Sequence, residues 1–227
     1  MGAGAAAAAL GAAVHLIVAG QRIPLFPLGG AILFPRSQLP LHIFEPRYRA
    51  MVQDATSGGG LIGMIQPQGS DDELQHPTLY RVGCVGEIVG LEELEDGRFN
   101  IVLQGTHRFR LIAEADVGTP YRQADVDPQA FDDSDPDPLG LVQRSAVEQE
   151  ARRLGDAMGL VVDWDAVGRL DDEMLVNAIS QVAPFDVGAK QALLEEPTLS
   201  GRADLLVQLM HFLRLAQNGG DLRPRLQ

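Results

Sequence analysis

Between Ile23 and Phe44 the chain is densely apolar, yet Pro24, Pro27, Pro35 and Pro40 interrupt it. Prolines at that density forbid a helix, because each removes an N–H and clashes with the preceding turn. They also confine strands to edges and short pieces, since a proline cannot donate to a ladder. The stretch therefore reads as short β segments joined by irregular chain. Glu45-Pro46 then opens a helix, with Pro46 where its missing N–H costs nothing. Tyr48, Met51 and Val52 share one face of it, and Ser57 to Gly60 ends it.

The next part keeps a period of two. Leu61 to Gln66 reads as a strand, and the polar segment Gly69 to Pro77 as a loop. Val82 to Leu91 alternates, with Cys84 and Ile88 on one face and Val85 and Val89 on the other. Asp96-Gly97 is a hairpin turn signal. Phe99 to Ile112 returns, broken at Gly105 by an expected bulge. Tyr121 to Val126 is the last strand. Asp125 to Pro138 is acidic and proline-interrupted, the composition of a linker. Beyond it the spacing becomes helical. Val147, Ala151, Leu154 and Met158 form a stripe. Asp171 or Asp172, Asp186 and Thr198 stand where helix caps belong. The expected fold class is α+β. The expected order is an alanine-rich extension (1–21), a β domain (22–127), an acidic linker (128–138) and a helical bundle (139–220).

The 227 residues hold 31 acidic and 18 basic side chains, a formal charge of −13. Nucleic-acid binding draws its affinity from neutralised phosphates, so that sign argues against it as the main function. With Cys84 alone, no internal disulfide can form. Residues 1–20 are uncharged, which lacks the basic start of a secretory signal, and the run is too alanine-rich to read as a membrane span. A cytoplasmic location is expected. There is no phosphate-cradling GxxxxGK[ST] motif and no pair of histidines at ligand spacing, so neither cofactor nor metal is expected. Cys84 reads as a small core residue. His42, in an apolar strand, is the histidine worth locating. Lys190 is the only lysine. Its place beside Ala189 and Gln191 reads as a solvated helix position, where alanine would cost no more than ~0.5 kcal/mol.

Residues Ile23 to Val52 carry PLFPL, LFP and LPLHIFEPRYR, which resemble the opening of the Lon protease N-terminal, substrate-binding domain. Gly60–Pro67, Val82–Val89, Asp96–Leu111 and Tyr121–Val126 agree with it, and the resemblance covers about Arg22 to Ala216. It implies a PUA-like β pseudo-barrel followed by a helical bundle. The ATPase and Ser–Lys peptidase of full Lon are not expected in this chain. It implies a non-catalytic module for unfolded or damaged polypeptides, or for another protein. Phe44, Tyr48 and Met51 are expected to pack the helix onto the barrel, and Glu45, Arg47 and Arg49 to fix the junction or form a polar rim. Irregular segments tend to be exposed and interaction-prone. Phe26, Leu28, Phe34 and Leu39 are therefore expected to meet a polypeptide, together with Arg47 and Tyr48. The alternative is RNA binding on a basic face formed by Arg81, Arg98, Arg108, Arg110 and Arg122. A third reading, an enzyme, requires a deep pocket near His42 or Cys84.

Overall fold

The computed structural model describes residues 18–69, 76–134 and 136–219. Most of the alanine-rich extension, the tip of the 69–77 loop and the last eight residues lie outside them. Six strands form one mixed sheet: β1 (Gln21–Pro27), β2 (Gln38–Ile43), β3 (Leu61–Pro67), β4 (Leu79–Glu93), β5 (Phe99–Ala115) and β6 (Gln123–Asp127). The order is β2-β5-β4-β3-β1-β6, and β5 also pairs with β6. Five strands thus follow one another round an irregular pseudo-barrel, while β2 hangs from β5 as an outer strand. Only β1 and β3 run parallel. The Gly105 nitrogen donates to the Ser37 carbonyl, which fixes the alternation of the β2–β5 ladder. Pro40 falls where an N–H would face away from β5, so the proline removes no ladder bond.

The turn at Asp96-Gly97 forms as expected, with Gly97 at φ 77°. At Gly105 the β4–β5 register shifts, and the Phe34 carbonyl lies where a side chain would begin. The bulge therefore admits the 34–37 loop against the sheet.

The long strand β4 has two buried faces. Val85 joins Ile23, Leu25, Ile65, Phe109 and Val126 inside the pseudo-barrel. Cys84 joins a second core that continues through Phe34, Met51 and Leu103 into the helices at Val147, Leu175, Leu206 and Met210. Helix α1 (Pro46–Ser57) buries Tyr48, Met51 and Val52 as its spacing required. Phe44 does not pack there: it is 60% exposed. The chain enters α1 with Phe44 outside and Tyr48 inside.

Five helices follow: α2 (Leu141–Met158), α3 (Trp164–Gly168), α4 (Asp172–Val182), α5 (Val187–Glu195) and α6 (Leu199–Gly219). Asp171 and Asp186 accept from the backbone of Met174 and Ala189, and Thr198 from that of Gly201, so the three caps stand where the sequence put them. Helix α3 is not among the expected elements; it is a short turn that Asp163 caps by accepting from the Ala166 backbone. Gln143 on α2 meets Ser200 and Asp204 on α6, and Glu150 meets Arg214, so these two helices run in parallel.

The acidic segment is held rather than free among its described residues. Asp133 pairs at 2.8 Å with Arg108, which is only 2% exposed. Arg108 also donates to the carbonyls of Leu194, Glu196 and Pro197. Lys190 departs from its reading too. It is 8% exposed, and its Nζ donates to the carbonyls of Gly30 (2.8 Å) and Gln181 (2.9 Å). Burial pushes its pKa down. The helix position is as read, but this face of α5 is turned into the protein rather than toward water.

Candidate polypeptide-binding surfaces

The six residues expected to meet a polypeptide divide by burial. Phe26, Phe34 and Tyr48 are 4%, 0% and 6% exposed, so the core takes them and the surface does not. Only Phe34 lies in irregular chain, since Phe26 is on β1 and Tyr48 on α1, and all three join the core that runs between sheet and helices, which overrides the surface-like composition of the stretch. The rings of Phe26 and Tyr48 meet at 4.4 Å, tilted by 47°, and the Arg202 guanidinium lies 4.9 Å over the Phe34 ring. Burial, then the positive Arg108, pulls the Arg202 pKa down to about 10. Leu28 and Leu39 are half-buried. Arg47 is exposed, pairs with Glu45 at 2.9 Å and lies 4.5 Å over the Tyr48 ring.

A depression of about 520 Å3 runs along the outer face of β2, β5 and β4. Its floor is the row Pro40, Val102 and Gly90, and beside it stands the row His42, Asn100 and Glu92. The polar row is internally satisfied. Asn100 donates to Glu92 at 2.7 Å and accepts from His42 Nδ1 at 2.8 Å, while Arg98 approaches His42 Nε2 at 3.2 Å and Asp96 at 2.6 Å. Phe44 stacks on His42 at 6.2 Å. His42 therefore lies on an exposed hydrogen-bonded ledge with no nucleophile beside it. Cys84 is fully buried, and burial raises its thiol pKa, the reverse of what a nucleophile needs.

The basic face needed for RNA does not assemble. Arg98 pairs with Asp96, Arg122 with Glu114, and Arg108 is sealed against Asp133. Arg110 lies over the Phe131 ring at 5.6 Å. Three of the five arginines are thus matched by carboxylates. Among the described residues no group of histidine, cysteine and carboxylates has a metal-binding arrangement. No helix of those residues is long and apolar enough to cross a membrane.

A cavity of about 310 Å3 opens among α2, α3, α4 and α6. Leu154, Met158, Trp164, Ile179, Val182 and Met210 line it, and no charged side chain does. Its mouth is apolar as well, with Leu160 54% and Val182 81% exposed. Sequence reasoning missed this site. The available signal was the run Leu160-Val161-Val162 followed by Trp164, an apolar cluster outside the main helical stripes.

An irregular β pseudo-barrel whose second face is closed by helices defines the fold as α+β. Residues 22–211 match the family described as the ATP-dependent protease La (LON) substrate-binding domain, and the chain belongs to that family. It is similar to Lon protease 2 of Myxococcus xanthus, with 27% identity over 200 residues, 84% of this chain and 24% of that protein. Lon protease 2 of Sorangium cellulosum is 28% identical over 202 residues, 83% of this chain and 24% of its own length. The chain thus spans about a quarter of these relatives. Among solved structures, a Lon N-terminal domain protein from Xanthomonas campestris superposes with a TM-score of 0.61 at 22% identity, over 83% of this chain and 98% of that one. The N-terminal domain of Mycobacterium avium complex Lon protease gives 0.60 at 16% identity, over 84% and 98%.

Proposed function

We propose that this chain is a non-catalytic recognition module that binds exposed apolar segments of unfolded or damaged polypeptides. The observation that carries this reading is the match of residues 22–211 to a substrate-binding domain. The open apolar surfaces support it, because burial of apolar area is the interaction such a surface offers. The binding surface on the β part (22–127) includes Leu28, Leu39 and Arg47 together with exposed Phe44. Tyr48 lies beneath Arg47, and Phe26 packs against Tyr48. The helical part (139–220) contributes the apolar cavity, and segment 128–138 joins the two. The protein acts in the cytoplasm, in protein quality control.

Titration with a permanently unfolded protein tests the reading. Saturable micromolar binding is expected, and no binding at high micromolar concentration refutes it. Casein incubated with the purified chain, with and without ATP, is expected to stay intact, and ATP is expected to stay unhydrolysed. ATP hydrolysis in the Lon manner needs a lysine-bearing phosphate loop, and peptide hydrolysis an activated nucleophile. Lys190 is tied to two carbonyls. Turnover that survives purification overturns the non-catalytic part.

A further inference from the structure

The cavity among α2, α3, α4 and α6 is the most apolar hollow described above, and its chemistry restricts its occupant. No charged side chain lines it, so nothing compensates a buried charge. The occupant must be an uncharged apolar group. A volume of about 310 Å3 suits a bulky side chain such as leucine, phenylalanine or tryptophan. Apolar exposure also continues beyond the mouth. Val161, between the lining residues Leu160 and Val162, is fully exposed at 104%, and Val182 is 81% exposed. A free small molecule filling the hollow would leave these side chains in water. A polypeptide segment covers both.

The wall adds a sign. From 156 to 171, the stretch that supplies Met158, Leu160, Trp164 and Leu170 to the lining, the charged residues are Asp156, Asp163, Asp165 and Asp171 against Arg169. All five are exposed. Of the two arginines just before it, Arg153 pairs with Glu150 at 3.2 Å, whereas Arg152 lies 4.7 Å over the Trp164 ring and keeps its charge, so four aspartates stand against two arginines. The segment that walls the cavity thus carries an excess of exposed negative charge, in a chain of net −13.

We propose that this cavity seats one bulky uncharged side chain of a bound polypeptide, and that its acidic wall selects segments in which that anchor is flanked by lysine or arginine. The proposal rests on the polypeptide-binding reading and adds to it a location and a sequence preference. Charge complementarity of this kind acts through specificity and association rate, and salt screens it.

Trp164 is the only tryptophan and lines the cavity, so its fluorescence reports occupancy. The probes are short peptides with a central leucine or phenylalanine, flanked by lysine, serine or glutamate, and a lysine-flanked peptide with central alanine. At low salt the lysine-flanked anchor peptide is expected to shift Trp164 emission and bind three- to tenfold tighter than the glutamate-flanked one. The gap is expected to narrow in 0.5 M salt, and the alanine peptide is expected not to shift the emission. Ala178→Phe, which fills the hollow from α4, is expected to weaken anchor binding at least tenfold. Val182→Asp at the exposed mouth gives the same loss without threatening the core. Asp156→Asn with Asp165→Asn keeps anchor binding and reduces the charge preference. Equal binding of lysine- and glutamate-flanked peptides overturns the selectivity. Unchanged binding by Val182→Asp overturns the location. An emission shift with free naphthalene but with no peptide makes the hollow a small-molecule site and overturns the proposal. If unfolded proteins bind wild type and both cavity variants alike, the general function stands and the cavity assignment falls. If they bind none, the function itself falls.

Discussion

Lys190 offers the sharpest test of the packing between helices and sheet. Its ammonium sits 2.8 Å from the Gly30 carbonyl and 2.9 Å from that of Gln181, on a side chain 8% exposed. Lys190→Met keeps most of the stem and removes the donor. Hydrogen bonds from a charged group are worth roughly 1.5–3 kcal/mol each, but the cost of burying the cation is relieved at the same time. A net loss of about 1–3 kcal/mol at pH 7 is expected. Lys190→Ala also empties the space of the stem, so its loss is larger, roughly 2–4 kcal/mol. The pH dependence carries a sign. The folded pKa lies below the ordinary 10.5 because burial disfavours the charged form. Between the lowered value and 10.5 the unfolded chain holds a proton that the folded chain has shed, so this group's contribution to stability rises with pH. The advantage of wild type over Lys190→Met is therefore expected to grow from neutral pH toward 10.5. Urea denaturation of the three proteins across that range measures it. An alanine variant within ~0.5 kcal/mol of wild type, the size of an ordinary surface change, refutes the buried-donor argument. So does an advantage that shrinks as pH rises.

Asp133→Asn leaves the 2% exposed Arg108 guanidinium without its carboxylate, and denaturation is expected to show a loss of about 3–5 kcal/mol. Gly105→Ala places a Cβ against the Phe34 carbonyl, so the 34–37 loop must move off the bulge. A destabilisation of about 3 kcal/mol or more is expected, and a silent variant would contradict that close approach. Acid is expected to weaken the helical part. Against the cost of burial, Arg214 and Arg153 hold the Glu150 pKa down, and Arg144 does the same for Asp172. Folded pKa values below the unfolded ones supply stability that is present above about pH 4.5 and lost as pH falls through the folded values. Thermal melting at pH 7 and pH 3 checks this, and Glu150→Gln is expected to reduce the difference.

Local chemistry made much of the fold readable. A proline at N1, an Asp-Gly turn and aspartates three residues before their backbone donors act within one turn of chain, so α1, the β4–β5 hairpin and the starts of α4 and α5 stood where the residues put them. What depends on distant partners was not readable. Phe26 and Phe34 lie in proline-rich chain that resembles surface loop, and only the sheet and helices packed against it from elsewhere in the sequence make them core. Phe44 erred the other way, because an apolar side chain at the entry to a helix gives no sign of which side the chain enters from. The apolar cavity draws on four helices, and none of their separate patterns contains it.

The prolines that govern the opening stretch also account for the buried polar groups opposite them. Between β1 and β2 the chain has no regular partner, and the carbonyls of Gly30, Ile32 and Pro35 meet side chains rather than ladder donors. Buried carbonyls left unpaired would each carry a desolvation penalty. The helices supply the donors. Lys190 reaches Gly30, Gln181 reaches Ile32 at 3.0 Å, and Asn177 reaches Pro35 at 3.3 Å. Arg202 in turn holds the Asn177 oxygen at 2.9 Å, which orients that amide toward the loop. Gln191 donates to the Val82 carbonyl at 3.0 Å, and Gln66 spans back to Gln191 at 3.1 Å. Lys190, Gln181 and Asn177 would each read alone as a solvated helix position. Together they form a row of donors matched to one irregular segment. An apolar replacement at any of them strands a carbonyl, whereas a regular strand in the same place would have needed none. The helices are therefore required by the proline spacing of the first fifty residues, and the surfaces of both parts are held in one arrangement by those bonds.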